Sequence, residues 1–181
     1  AHADVVFDNG SWTGTEAGPH GSWTNAVDGW RVYDNFTLTE NAQINDVFIQ
    51  INLRSGTFDG DFSFTIFDYQ AGGGTGSEVY SQILQNGDYV ASFINGAYNV
   101  SFNTVPFNLS SGDYELSFYG LDMTLQIVNA GSGDGFVQVQ QNGPTVSNKA
   151  GNVPFVLNGT VGSLETANVS SPSLLAFASF S

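Results

Sequence analysis

Cysteine is absent from the 181-residue chain, which excludes a disulfide framework, thiol chemistry and any cysteine-based zinc site. Basic residues are almost absent as well. Three Lys and Arg stand against 17 Asp and Glu, a formal net charge of -14. Arg31, Arg54 and Lys149 cannot build the cationic patch that nucleic acid or an anionic membrane surface requires, so nucleic acid is excluded as a partner. His2 and His20 are the only histidines, and no Gly-x-Ser-x-Gly elbow exists to serve a Ser-His-Asp relay. No stretch of 18 apolar residues is present, so this chain carries no membrane span.

Small neutral residues supply the polarity instead, with 22 Gly, 19 Ser, 17 Asn and 13 Thr. At the same time 14% of the residues are aromatic and 41% hydrophobic, too many for a chain that stays unfolded. A length of 181 residues suits one core. The opening Ala1-His2-Ala3 has the small-x-small form of a signal-peptidase site and points to export. The expected location is secreted, extracellular or at the cell surface.

Period-2 alternation recurs along the chain. Val47, Ile49, Ile51 and Leu53 fall on one face of a strand over 46–54; Phe62, Phe64 and Ile66 do so in the next. Tyr98, Val100 and Phe102, then Tyr114, Leu116 and Phe118, then Val153, Phe155 and Leu157 repeat the pattern. Further strands are expected over 3–8, 30–38, 78–84, 87–94, 123–128 and 135–141. Asn-Gly, Gly-Asp and Asp-Gly pairs punctuate them and provide the positive-φ positions of tight hairpins. These features predict an all-β fold, an antiparallel β-sandwich of jelly-roll-like form. Residues 1–170 form the single domain and 171–181 an apolar tail. The Gly-rich run over 72–78 lacks the Lys-Ser/Thr ending of a phosphate loop and reads as a hairpin connection.

Read in order, "DVVFDNG", "YDNFTLTENAQINDVFIQI", "FDYQAGGGTGSEVYS", "LSSGDYELSFYG" and "VPFVLNGTV" give a chain that resembles the extracellular region of bacterial PEP-CTERM-type exported proteins. The Pro-Glu-Pro tripeptide itself is replaced by Ser170, Ser171 and Pro172. The resemblance implies an envelope or matrix protein in a group associated with exopolysaccharide production, and no particular enzymatic activity.

Candidate chemistry is sparse. The nearby acidic pairs are Asp4 with Asp8, Asp59 with Asp61, and Asp113 with Glu115; the last share one strand face, with Glu115 expected on the solvent side. The oxygen-rich loops around Asp59, Asp61 and Asp134 make Ca2+ the one metal that the composition favours. No other cofactor is expected. Asn-x-Ser/Thr occurs at Asn9, Asn35, Asn99, Asn108, Asn158 and Asn168, a mild excess that leaves glycosylation open. "GSWT" occurs twice, putting Trp12 and Trp23 on either side of His20 in a segment that reads as a loop. Three roles suit such tryptophans: plugging an open end of the sandwich, contacting another protein, or stacking on a sugar.

Two functions follow, neither enzymatic. The first is an extracellular structural subunit of an envelope or matrix that associates with copies of itself by strand addition. Val5, Val6 and Phe7 at one end, and Leu174, Leu175, Phe177 and Phe180 at the other, would be the contacts. The alternative is a carbohydrate-binding module for extracellular polysaccharide, with Trp12, Trp23 and His20 at its surface.

Overall fold

Alternation becomes strand at every run named above, and no helix forms among the described residues. The computed structural model describes residues 4–12, 20–23, 30–54, 56–70, 74–128, 133–140 and 146–162. The tail over 171–181 and the whole 163–181 segment lie outside the described residues. In chain order the strands are β1 (Asp4–Asp8), β2 (His20–Trp23), β3 (Trp30–Leu38), β4 (Ala42–Leu53), β5 (Phe62–Gln70), β6 (Gly74–Leu84) and β7 (Tyr89–Ile94). They continue as β8 (Ala97–Leu109), β9 (Gly112–Gly120), β10 (Leu125–Ile127), β11 (Phe136–Gln140), β12 (Val146–Lys149) and β13 (Phe155–Val161).

Pairing sorts them into two antiparallel layers. One runs β12-β11-β3-β9-β5-β6; the other runs β1-β13-β4-β8-β7. β10 continues beside β4 beyond the end of β13 and pairs with β2. A single parallel step, Trp23 opposite Trp30, joins β2 to β3 and so stitches the layers together. The fold is an all-β antiparallel sandwich. Among the described residues, no helix is long and apolar enough to cross a membrane.

Alternating residues from both layers fill the space between them. Phe64 lies 5.4 Å from Phe102 across the sandwich and 5.2 Å from Phe118 beside it. Phe36 stacks on Tyr114 at 5.5 Å, and Phe7 reaches both Phe36 and Phe155. Offset and edge-on ring pairs of this kind add roughly 0.5–1.5 kcal/mol each beyond their buried area. Burial of Val32, Phe36 and Leu38 matches the expected alternation, yet Asp34 occupies the position between them and is also fully buried.

Two elements and one loop boundary depart from expectation. β2 arises inside the segment read as a loop, because its backbone finds a partner in β10; β12 likewise gains its ladder from β11. The Gly-rich run is not all connection: from Gly74 onward it is strand β6. Register between β5 and β6 slips on both sides of Phe67, and a Cβ on Gly76 would sit 2.0 Å from the Asp68 carbonyl oxygen. Only glycine lets the strands approach this closely. Gly159 has the same role beside Gln43, at a shift that β13 and β8 both make opposite β4. That bulge lets Ile44 and Val47, three apart in sequence, both face the core.

Candidate functional site

Side chains on the outer face of a sheet normally meet water. In the middle of the β3-β9-β5 layer several do not. Asn35 pairs with Glu115, and Glu115 with Phe67; one rung pair further along β9, Ser117 lies opposite Thr65. These positions alternate with core-facing Phe36, Leu116 and Ile66, so they point away from the core. Even so, Glu115 is 4% exposed and Ser117 1%, and Ser63 and Thr65 are buried as well. The expectation that Glu115 is solvated therefore fails. Bulky neighbours enclose these small polar groups: Tyr33 meets Phe67 edge-on at 5.8 Å, and the Arg31 guanidinium lies 4.3 Å over the Tyr119 ring.

Enclosure leaves polar atoms without partners. Ser63 and Thr65 bridge their hydroxyls at 3.4 Å, and Thr65 reaches Ser81 at 3.3 Å. Glu115 Oε2, Ser117 Oγ and Arg31 Nε have no hydrogen-bond partner among the described residues. An unpaired buried carboxylate oxygen is costly, and burial alone pushes the Glu115 carboxyl up to about 7. Burial also raises the Tyr33 hydroxyl, against the opposing charge and hydrogen bond of Arg31.

Beside Glu115 a pocket of about 330 Å³ opens, lined by Tyr33, Asn35, Tyr69, Asp134, Gly135, Phe136, Val137 and Asn148. Its volume lies at the lower end of the ~300–1,000 Å³ range of small-molecule sites. Asn35 Nδ2 donates to Asp134 Oδ2 at 2.9 Å, fixing one wall. Tyr69, near the C-terminal end of β5, is 43% exposed and leaves an aromatic surface at the mouth.

A second network inside the sandwich anchors the pocket's 133–135 edge. Asp34 Oδ2 accepts from Asn9 Nδ2 at 2.8 Å and from the Val153 amide at 2.6 Å. Asn152 Nδ2 donates to Asn9 Oδ1, and the Gly135 amide donates to Asn152 Oδ1 at 3.1 Å. Burial pushes the Asp34 carboxyl up to about 8, and the nearby Asp134 charge adds to the rise while these hydrogen bonds oppose it.

The residues anticipated from sequence are dispersed. Trp12 is half-buried on the outer face of the other layer; its amide donates to Gln50 Oε1 at 2.7 Å, and its ring lies against Gly96 in the β7-β8 turn. Trp23 and His20 belong to β2, opposite Leu125 and Ile127, so this part of the segment is strand rather than loop. Val5 is exposed, whereas Phe7 packs on the chain's own core. Leu174, Leu175, Phe177 and Phe180 lie outside the described residues.

The three aspartates named for Ca2+ do not converge. Asp61 sits next to Asp122, whose Oδ1 accepts from the Asp61 amide at 2.6 Å, and Asp59 Oδ2 accepts from Thr57. Asp134 bonds Asn35 five rungs along the sheet, roughly 16 Å away at ~3.3 Å per residue. No group of three or more His, Asp or Glu suited to a metal occurs among the described residues. Of the acidic pairs, Glu115 does line the pocket, while Asp113 accepts from the Thr37 hydroxyl at 2.6 Å. Tyr33 and Tyr69 were not singled out in the sequence, and Asn35 was named there only as an Asn-x-Thr position. Their signal was an outward-facing tyrosine on each of two strands of one layer.

Comparison with protein-family models, curated proteins and solved structures finds no match to this chain.

Proposed function

We propose that this chain is a non-enzymatic carbohydrate-binding module acting outside the cell, with its site in the Glu115 pocket. The observation that carries this reading is Glu115 Oε2, buried and unpartnered beside a pocket whose mouth holds the exposed Tyr69 ring. Sugars present an apolar ring face and a rim of hydroxyls. An aromatic surface matches the first, and the Asn35, Asn148, Asp134 and Glu115 side chains match the second. The exopolysaccharide association implied by the resemblance to PEP-CTERM-type proteins points the same way. Retention on immobilised polysaccharides tests the reading: wild-type protein is retarded, and Tyr69→Ala is retarded much less while keeping its β circular dichroism. Equal retention of both proteins would refute the pocket as the site.

A second reading, self-association, has support of its own. β7 carries no charged residue, pairs only with β8 among the described residues, and exposes Val90, Phe93 and Ile94. An uncharged apolar edge is a template for a further strand. Light scattering of wild type against Phe93→Lys tests it, with larger species expected only for the wild type.

A further inference from the structure

This inference rests on the sugar-binding reading and narrows its ligand. The pocket lining is acidic and includes no cationic side chain among the described residues. Glu115 and Asp134 both line it. Asp113 is two residues from Glu115 on the same strand face, and Glu78 lies opposite Phe67, one strand beyond. Against these four carboxyls the face offers one described cationic side chain, Arg31, which is absent from the pocket lining and is engaged by the Tyr119 ring and the Tyr33 hydroxyl. Asp134 has one bond from Asn35, an amide that brings no charge.

We infer that the pocket selects a sugar bearing a free, protonated amino group, a de-N-acetylated hexosamine, with the ammonium held by Glu115 and Asp134 and the ring against Tyr69. A neutral hexose would leave Glu115 Oε2 with at best a hydroxyl donor. An ammonium gives it both a charge-assisted bond and the counter-charge that the described lining residues do not supply. An N-acetyl group would fill the same space without charge. A uronic acid or sulfated sugar would meet like charge at short range and a chain of net charge -14 at long range. The aromatic groups of Tyr33 and Tyr69 favour a cation over an anion at their faces.

Binding of the ammonium requires Glu115 to be ionised. Below pH 7 complex formation therefore expels the proton that burial keeps on this carboxyl. The other titratable and charged groups on this face are Arg31 and Tyr33 on β3, Tyr69 on β5, Glu78 on β6, Asp113 and Tyr119 on β9 itself, and Asp134 before β11.

The experiment is calorimetric titration at pH 6 with two probes, a glucosamine tetramer and its fully N-acetylated counterpart, in buffers of different ionisation enthalpy. The amine tetramer should bind at least about tenfold more tightly, a gap of ~1.4 kcal/mol, with net proton release. Glu115→Gln should erase both the preference and the proton release. Asp134→Asn, which preserves an acceptor for Asn35, should reduce the preference several-fold and serves as the second variant should Glu115→Gln misfold. Equal affinity for the two tetramers, or a preference that survives both variants, overturns the inference and leaves the sugar-binding reading standing. Binding of neither removes both.

Discussion

Two buried carboxyls on neighbouring rungs of the same sheet meet opposite fates. Asp34 pairs with Leu116, and one residue on, Asn35 pairs with Glu115. The pleat sends Asp34 into the sandwich and Glu115 to its outer face. Burial raises both, to about 8 and about 7. Inside, Asp34 Oδ2 accepts from the Asn9 amide and the Val153 amide and, through Asn9, is tied to Asn152, while its Oδ1 has no partner among the described residues. Outside, Glu115 Oε2 has none either, but a pocket opens next to it. The two carboxyls differ in what surrounds them. Asp34 is knotted into a buried network that ties strands and loops together, whereas Glu115 stands at an opening that a ligand can enter.

Breaking the two carboxyls should separate these roles. Asp34→Ala leaves the Val153 N–H and one N–H of the Asn9 amide without acceptors and opens a cavity, so the unfolding free energy should fall by about 3–5 kcal/mol. Glu115→Ala removes a carboxyl whose Oε2 has no partner and leaves a smaller void at the pocket wall, so it should cost less, about 1–2 kcal/mol. Urea unfolding of both variants decides the matter; similar losses would erase the distinction.

The comparison also has a pH signature. The unfolded chain ionises both carboxyls near pH 4. The folded chain keeps their protons up to about 8 for Asp34 and about 7 for Glu115. The folded state thus binds more protons between those limits, and stability declines as pH rises from 5 to 7, by up to ~1.4 kcal/mol per pH unit for each group. Asp34→Asn keeps an acceptor for Asn9 and Val153 and should flatten the decline by one group's share. A pH profile unchanged by Asp34→Asn would show that the carboxyl is ionised throughout.

Smaller effects sharpen the contrast between the two outer faces. Tyr69→Ala should weaken sugar binding about tenfold, or ~1.4 kcal/mol, and leave stability within about 0.5 kcal/mol because the ring is half in solvent. Trp12→Ala, on the opposite face, should cost about 1 kcal/mol of stability and leave binding unchanged. If Trp12→Ala abolishes binding while Tyr69→Ala does not, the site lies on the wrong layer.

Much of the sandwich was legible because each half-buried strand writes its own alternation. Val47 to Leu53 and Phe62 to Ile66 announce both their conformation and their buried face. What stayed hidden depends on partners distant in sequence. β2 and β12 carry weak patterns and exist because β10 and β11 offer ladders. The phase shift from Ile44 to Val47 needs Gly159, over a hundred residues away. The site was harder still. Glu115 reads as a solvated outward residue until Tyr33 and Phe67 from other strands close around it, and Asp134 reaches Asn35 across 99 positions. Tryptophans drew attention in the sequence through the repeated GSWT in a loop-like segment, whereas the pocket uses tyrosines spread over two strands.

The most direct measurement is an amide-resolved NMR titration of the protein with the glucosamine tetramer at pH 6. Shift changes centred on Asn35, Tyr69, Glu115, Asp134 and Gly135 are predicted, with Trp12, Gly96 and β7 silent. Changes confined to Trp12 and the β7-β8 turn, or none anywhere at saturating sugar, would contradict the assignment of the Glu115 pocket as the binding site.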